Sequence, residues 1–181
     1  EASRLGIRAW RAVLAPSAAG VRVAEEPEAP GRLLVAGPLP TDPTPIVEGL
    51  ARAGGGVEVR ALGAPDPRWG AATPEVVGGA SGRDGLSWAS GVLVPDPDAA
   101  GAAVVEALLA GRPVLVPRER RPAFVTPEVG VGYESSRPEA FADGLAELWA
   151  GIERRRFRSQ HLRAAGEGAA LEARLPALVE R

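Results

Sequence analysis

In the run DPDAAGAAVVEALLAGRPVLVP, residues 96 to 117, two carboxylates and a glycine stand where they could do chemistry: Asp98, Gly101 and Glu106. Eight residues separate Asp98 from Glu106, just over two helical turns, so a helix beginning near Asp98 or Ala99 sets both on roughly one face. A dry core would expel or protonate a carboxylate. On the ligand-facing side of a helix, the same group is a natural acceptor for the hydroxyls of a sugar or ribose. The small residues Ala99, Ala100 and Gly101 let a ligand come close to backbone amides at the positive end of the helix dipole. Plainer readings stand beside these. Asp98 belongs to the best N-capping types, and Glu106 is by type a solvent-facing helix residue.

Other side chains narrow the chemistry further. The chain has 181 residues, no cysteine and one histidine, which removes disulfides and thiolate chemistry and makes a zinc site improbable; neither a metal nor a cofactor is expected. Net charge is −2, so no global field favours nucleic acid or an anionic membrane. No apolar run approaches the ~20 residues that span a bilayer, and a protein of the cytoplasm, without membrane insertion, is the expectation. Every basic residue is arginine. Arg68, Arg118, Arg120 and Arg121 fall in loops where they could meet phosphate, whereas ERRRFRSQHLR, with His161, reads as a solvated helix face. The four tryptophans read as core anchors or as part of an interface with a further domain.

The elements that must position these residues alternate. Short apolar runs at 32–36, 57–63, 74–79, 91–95, 113–117 and 129–134 read as strands, bounded by glycine and proline. Helical spacing begins at Pro45 and stops at the glycines of 54–56; further helices are expected at 82–90, at 99–110 and from Pro138 onward. Ser136, Pro138 and Glu139 have the pattern of a serine cap followed by a first-turn proline and glutamate. Continuously apolar strands between helices argue for a parallel sheet covered on both faces, a Rossmann-like α/β domain. Ligands of such sheets bind at the carboxyl ends of the strands, here the loops 37–45, 63–75, 78–82, 95–101 and 117–128.

In this order the segments resemble a known family. Asp98, Gly101, Glu106, Ala107, Gly111, Pro113 and Val114 fall without a gap on the pattern Glu-Gly-Phe-Gly, four residues, Glu-Ala, then a Gly-x-Pro-Val strand. That pattern belongs to the carboxy-terminal, donor-binding domain of the retaining GT-B glycosyltransferases, the glycogen-synthase-like and sucrose-synthase-like group. RLLVAGPL, VEVRALGAPDPRW, VVGGASGRDGLSWASGVLVP and VGVGYESSRPEAFADGLAEL are similar to its other segments in the same order. The likeness assigns residues 31–181 to such a domain and residues 1–30 to an interdomain crossing or N-terminal extension.

The resemblance implies a nucleoside diphosphate sugar as ligand. Glu106 would hold ribose hydroxyls, Asp98 would stand near the transferred sugar, and amides around Gly101 and Ala102 would meet the diphosphate. The turn at Val77 to Gly79, with Gly78 and Gly79, would border the base. It also implies an acceptor domain, in the same protein or a partner chain, so the isolated chain is expected to be inactive. Three departures are plain. Pro38 and Pro43 stand where the family carries the arginine and lysine that neutralise the diphosphate, Asp98 replaces glutamate, and Ala100 replaces an aromatic residue. Arg68 and Arg118 are candidates to supply the missing charge. The departures also support a second reading, a glycosyltransferase-like domain that serves as a catalytically inactive binding or scaffolding module.

Overall fold

The computed structural model describes residues 30–54, 56–62, 67–72, 75–77 and 82–179. Six parallel strands form one sheet: β1 Arg32–Val35, β2 Glu58–Leu62, β3 Glu75–Val77, β4 Gly91–Leu93, β5 Val114–Pro117 and β6 Gly130–Tyr133, in the order β3-β2-β1-β4-β5-β6. Between and after them lie helices α1 Thr44–Ala53, α2 Gly82–Trp88, α3 Gly101–Leu109, α4 Pro138–Glu153 and α5 Ser159–Val179. Two 3-10 turns, Pro67–Ala72 and Arg118–Arg120, follow β2 and β5.

Burial explains why the strands are parallel. Leu33, Leu34 and Val35 of β1, Val92 and Leu93 of β4 and all four residues of β5 are buried, so these strands have no solvent face and need cover on both sides. The helices supply it. α1 packs on α4 and α3 on α5. Glycines allow the close approach: a Cβ on Gly49 of α1 would lie 2.6 Å from Phe141 Cδ1, and one on Gly166 of α5 would lie 3.1 Å from Leu109.

One polar group belongs to this framework. Arg112, between α3 and β5, is only 4% exposed, and its Nε and Nη2 donate to the carbonyls of Leu86 at 2.9 Å and Ser87 at 3.0 Å. Those carbonyls end α2, where unpaired acceptors and the negative end of the helix dipole favour a cation. Burial lowers the Arg112 pKa from its ordinary value, and the carbonyls compensate the guanidinium in place of a carboxylate.

Two local expectations are corrected. α3 begins at Gly101, not at Asp98 or Ala99, because residues 97–99 close a turn whose Ala100 N–H is accepted by the Asp96 carbonyl at 2.9 Å. Ser136 does not cap α4. Its hydroxyl donates to Glu134 at 3.0 Å, the N-cap position is Arg137, and Pro138 opens the helix, since proline lacks the donor a cap would satisfy.

Candidate functional site

The strand order reverses direction between β1 and β4: the chain runs outward through β2 and β3 and then returns to the other side of β1. At such a switch point the connections leaving the carboxyl ends diverge and open a crevice. Here they are residues 36–43 after β1 and 94–100 after β4.

The two connections touch. Gly37 has φ +110°, a region that L side chains rarely adopt, and a Cβ there would lie 2.5 Å from the Cβ of Ala100. The two connections thus approach each other through small residues, and a side chain at position 37 would collide with Ala100. The β1 connection itself holds no cation. From the neighbouring 3-10 turn Arg68 reaches it, with Nη1 donating to the Pro40 carbonyl at 2.7 Å. Asp42 Oδ1 accepts from the Thr44 N–H at 3.0 Å, and the hydrogen bonds with Thr44 hold the Asp42 carboxyl below its ordinary pKa.

The β4 connection is acidic and paired. Asp96 Oδ1 accepts from the Ala99 N–H at 3.3 Å and lies 3.2 Å from Arg120 Nη1. Asp98 is exposed, with Oδ2 3.9 Å from Arg120 Nε. Asp96 therefore closes the turn before α3, whose N-cap position is Ala100 with no side-chain cap, and Asp98 is left pointing to solvent and to Arg120. Sequence reading missed Asp96 and the bridge from Arg120. The signal was present as a second aspartate on the other side of Pro97.

On α3, Gly101 is buried in the first turn. Ala102 packs against the buried pair Val105 and Ala169, which leaves its backbone N–H as its polar contribution. Glu106 lies five residues after Gly101, about 7.5 Å along the axis, and is half-buried; its carboxylate has no hydrogen bond or ion pair among the described residues. With Asp98 outside the helix, the two carboxylates sit at its approach and on its flank, not on successive turns of one face.

Beyond β5, Arg118, Arg120 and Arg121 are all exposed. Arg118 Nη2 donates to the Gly132 carbonyl at 3.3 Å. Glu119 accepts from the Ser135 N–H at 3.4 Å, linking this turn to the end of β6. Tyr133 is buried there, and burial first, then nearby Glu119, pushes its hydroxyl well above the usual range. Glu134 receives Arg137 at 2.6 Å and Ser136, which hold its carboxyl below its ordinary pKa.

Gly78 and Gly79 lie outside the described residues, as do residues 1–29. Of the tryptophans, Trp69 is buried in the core, Trp88 and Trp149 are half-buried, and Trp88 stacks under the Arg60 guanidinium at 4.3 Å. His161 is exposed on α5. Among the described residues no helix is long and apolar enough to cross a membrane, and no group of three or more His, Cys, Asp or Glu could hold a metal ion.

No protein-family model matches the chain, and no curated protein matches it at a significant level. Solved structures do. A sucrose-phosphate synthase from Thermosynechococcus elongatus is similar over 85% of this chain and 46% of its own, with TM-score 0.59 and 18% identity. TarM is similar over 85% and 34%, with TM-score 0.56 and 15% identity. CalG4, the calicheamicin glycosyltransferase, is similar over 87% and 46%, with TM-score 0.51 and 21% identity. The chain thus spans between about a third and a half of the length of these proteins, and its fold is that of one Rossmann-like half of a GT-B glycosyltransferase.

Proposed function

We propose that the chain is the nucleotide-sugar-binding half of a glycosyltransferase, which takes a nucleoside diphosphate sugar and works with an acceptor domain or partner chain to transfer the sugar. The observation that carries this reading is the half-buried, unpartnered Glu106 carboxylate on α3, whose first turn opens at the switch point of the sheet. A carboxylate in that setting gains most from ligand hydroxyls, because a charged acceptor forms stronger hydrogen bonds than a neutral one. In this reading Glu106 accepts from ribose hydroxyls, amides of Gly101 and Ala102 face the diphosphate, Asp98 stands beside the sugar, and Gly78 and Gly79 border the base. Arg68 and Arg118 supply positive charge from the two flanking connections. The order of motifs from Asp98 to Val114 supports a relation to the retaining, glycogen-synthase-like group.

The catalytically inactive binding or scaffolding module is favoured by one feature, the absence of any cation in residues 36–43. Calorimetric titration of the purified chain with a panel of nucleoside diphosphates and their sugars separates the two. Saturable binding of one member with a base preference supports the donor site, and no binding by any member supports the inactive module.

A further inference from the structure

We propose that Arg120 is a phosphoryl-binding residue of this site, held by Asp96 and Asp98 until a phosphate group displaces them. The proposal rests on the donor-site reading only for the identity of the phosphate as part of a nucleotide.

The turn after β5 presents three exposed arginines within four residues, Arg118, Arg120 and Arg121. Two of them gather over β6. Arg118 donates to the Gly132 carbonyl, and the stem of Arg121 lies so close that a Cβ on Gly132 would be 3.6 Å from its Cδ. The Arg121 guanidinium has no ion pair or side-chain hydrogen bond among the described residues. Arg120 turns the other way, across to the β4 connection, where it meets Asp96 at 3.2 Å and Asp98 at 3.9 Å.

That bridge is poorly matched to a guanidinium. Arg120 faces one oxygen of each of two carboxylates and forms no two-bond fork with either. A phosphoryl group offers adjacent oxygens at the spacing the fork fits, and more negative charge than one carboxylate. The Arg120 side chain is 53% exposed, that of Asp98 76% and that of Asp96 24%, so water screens the Asp98 contact strongly and the Asp96 contact in part. Exchange costs little on the Asp98 side and more on the Asp96 side. It would also free Asp98, which the donor-site reading sets beside the sugar, so that phosphate binding and release of that carboxylate from Arg120 become one event. With no cation in residues 36–43, this turn is where the site can find charge to spare.

The aspartates compete for Arg120, which gives substitutions on the two sides of the bridge opposite signs. Asp96→Asn keeps an acceptor for the Ala99 N–H but removes the competing charge, and should tighten binding of inorganic pyrophosphate by about three- to tenfold. Arg120→Ala should weaken it by about tenfold or more. In the double variant the Asp96→Asn gain should vanish. Melting curves on each full-length variant show that the fold is kept. Unchanged or weaker pyrophosphate binding in Asp96→Asn, a gain that persists without Arg120, or no pyrophosphate binding in either protein would overturn the proposal. Running a nucleoside diphosphate in parallel separates it from the reading beneath it. Nucleotide binding indifferent to Arg120 sinks the exchange and spares the donor site; the expected pyrophosphate pattern, with the nucleotide no tighter than pyrophosphate, does the reverse.

Discussion

Arg112 shows how a residue inside a motif serves the framework. It occupies the variable position of Gly-x-Pro, yet it is among the most buried polar residues of the described chain and closes the carboxyl end of α2 from 26 residues away. Removing it leaves the Leu86 and Ser87 carbonyls without their charged donors and deletes a long packed stem. Arg112→Ala should therefore destabilise the fold by about 2–4 kcal/mol, with Arg112→Lys recovering part, since one ammonium cannot reach both carbonyls as a fork does. Denaturant unfolding of the three proteins checks this. At this scale the sequence was only partly legible. Glu106 stands out because a charge interrupts an apolar helical run, whereas the contacts of Arg112 with Leu86 and of Arg120 with Asp96 join residues with no local pattern linking them.

Elements were far more legible than contacts. All six strands and the helices of the described residues lie where apolar runs, glycines and prolines mark them, most clearly in β1, β4 and β5, where burial on both faces leaves a nearly continuous apolar signature. Helix ends were less so. The start of α3 was misplaced because Asp98 has the type of a cap, but the turn before it is closed by Asp96, and only the backbone path decides between two aspartates flanking a proline. Glycines within helices had no legible role until their neighbours were known. A methyl group at Gly49 of α1 meets Phe141 at 2.6 Å and the Pro138 carbonyl at 2.9 Å, whereas Gly168 of α5 has nothing within 4 Å. Alanine has the better helix propensity, by about 1 kcal/mol, so the two sites should respond with opposite signs. Gly168→Ala should stabilise by about 0.5–1 kcal/mol, and Gly49→Ala should destabilise by about 1–2 kcal/mol as α1 is pushed off α4. Thermal melts of the two variants decide it, and stabilisation by both would mean that the α1–α4 contact is looser than described.

For the whole molecule, the sheet order sets the functional argument. The reversal between β1 and β4 places the connections that carry Gly37, Ala100 and Asp96 side by side, and the comparison with solved glycosyltransferases extends over 85–87% of the chain but 34–46% of theirs. Transfer needs a donor and an acceptor held in one geometry with water excluded, which the proposed donor half does not supply by itself. Incubated alone with a nucleoside diphosphate sugar and a range of glycosyl acceptors, the chain should give no product; transfer at an ordinary enzymatic rate would show that its own loops complete the site.

Glu106 is proposed to accept hydrogen bonds from the ribose of a nucleotide, and one titration tests it. Glu106 is half-buried and its carboxylate is unpartnered among the described residues, so replacing it should leave the melting temperature almost unchanged. The wild-type chain and Glu106→Ala are titrated with the same nucleoside diphosphate, with a melting curve for each. The variant should bind more weakly by about 1.5–3 kcal/mol, the range for hydrogen bonds to a charged group, with the fold intact and Glu106→Gln losing less. Equal affinity in wild type and Glu106→Ala would contradict it.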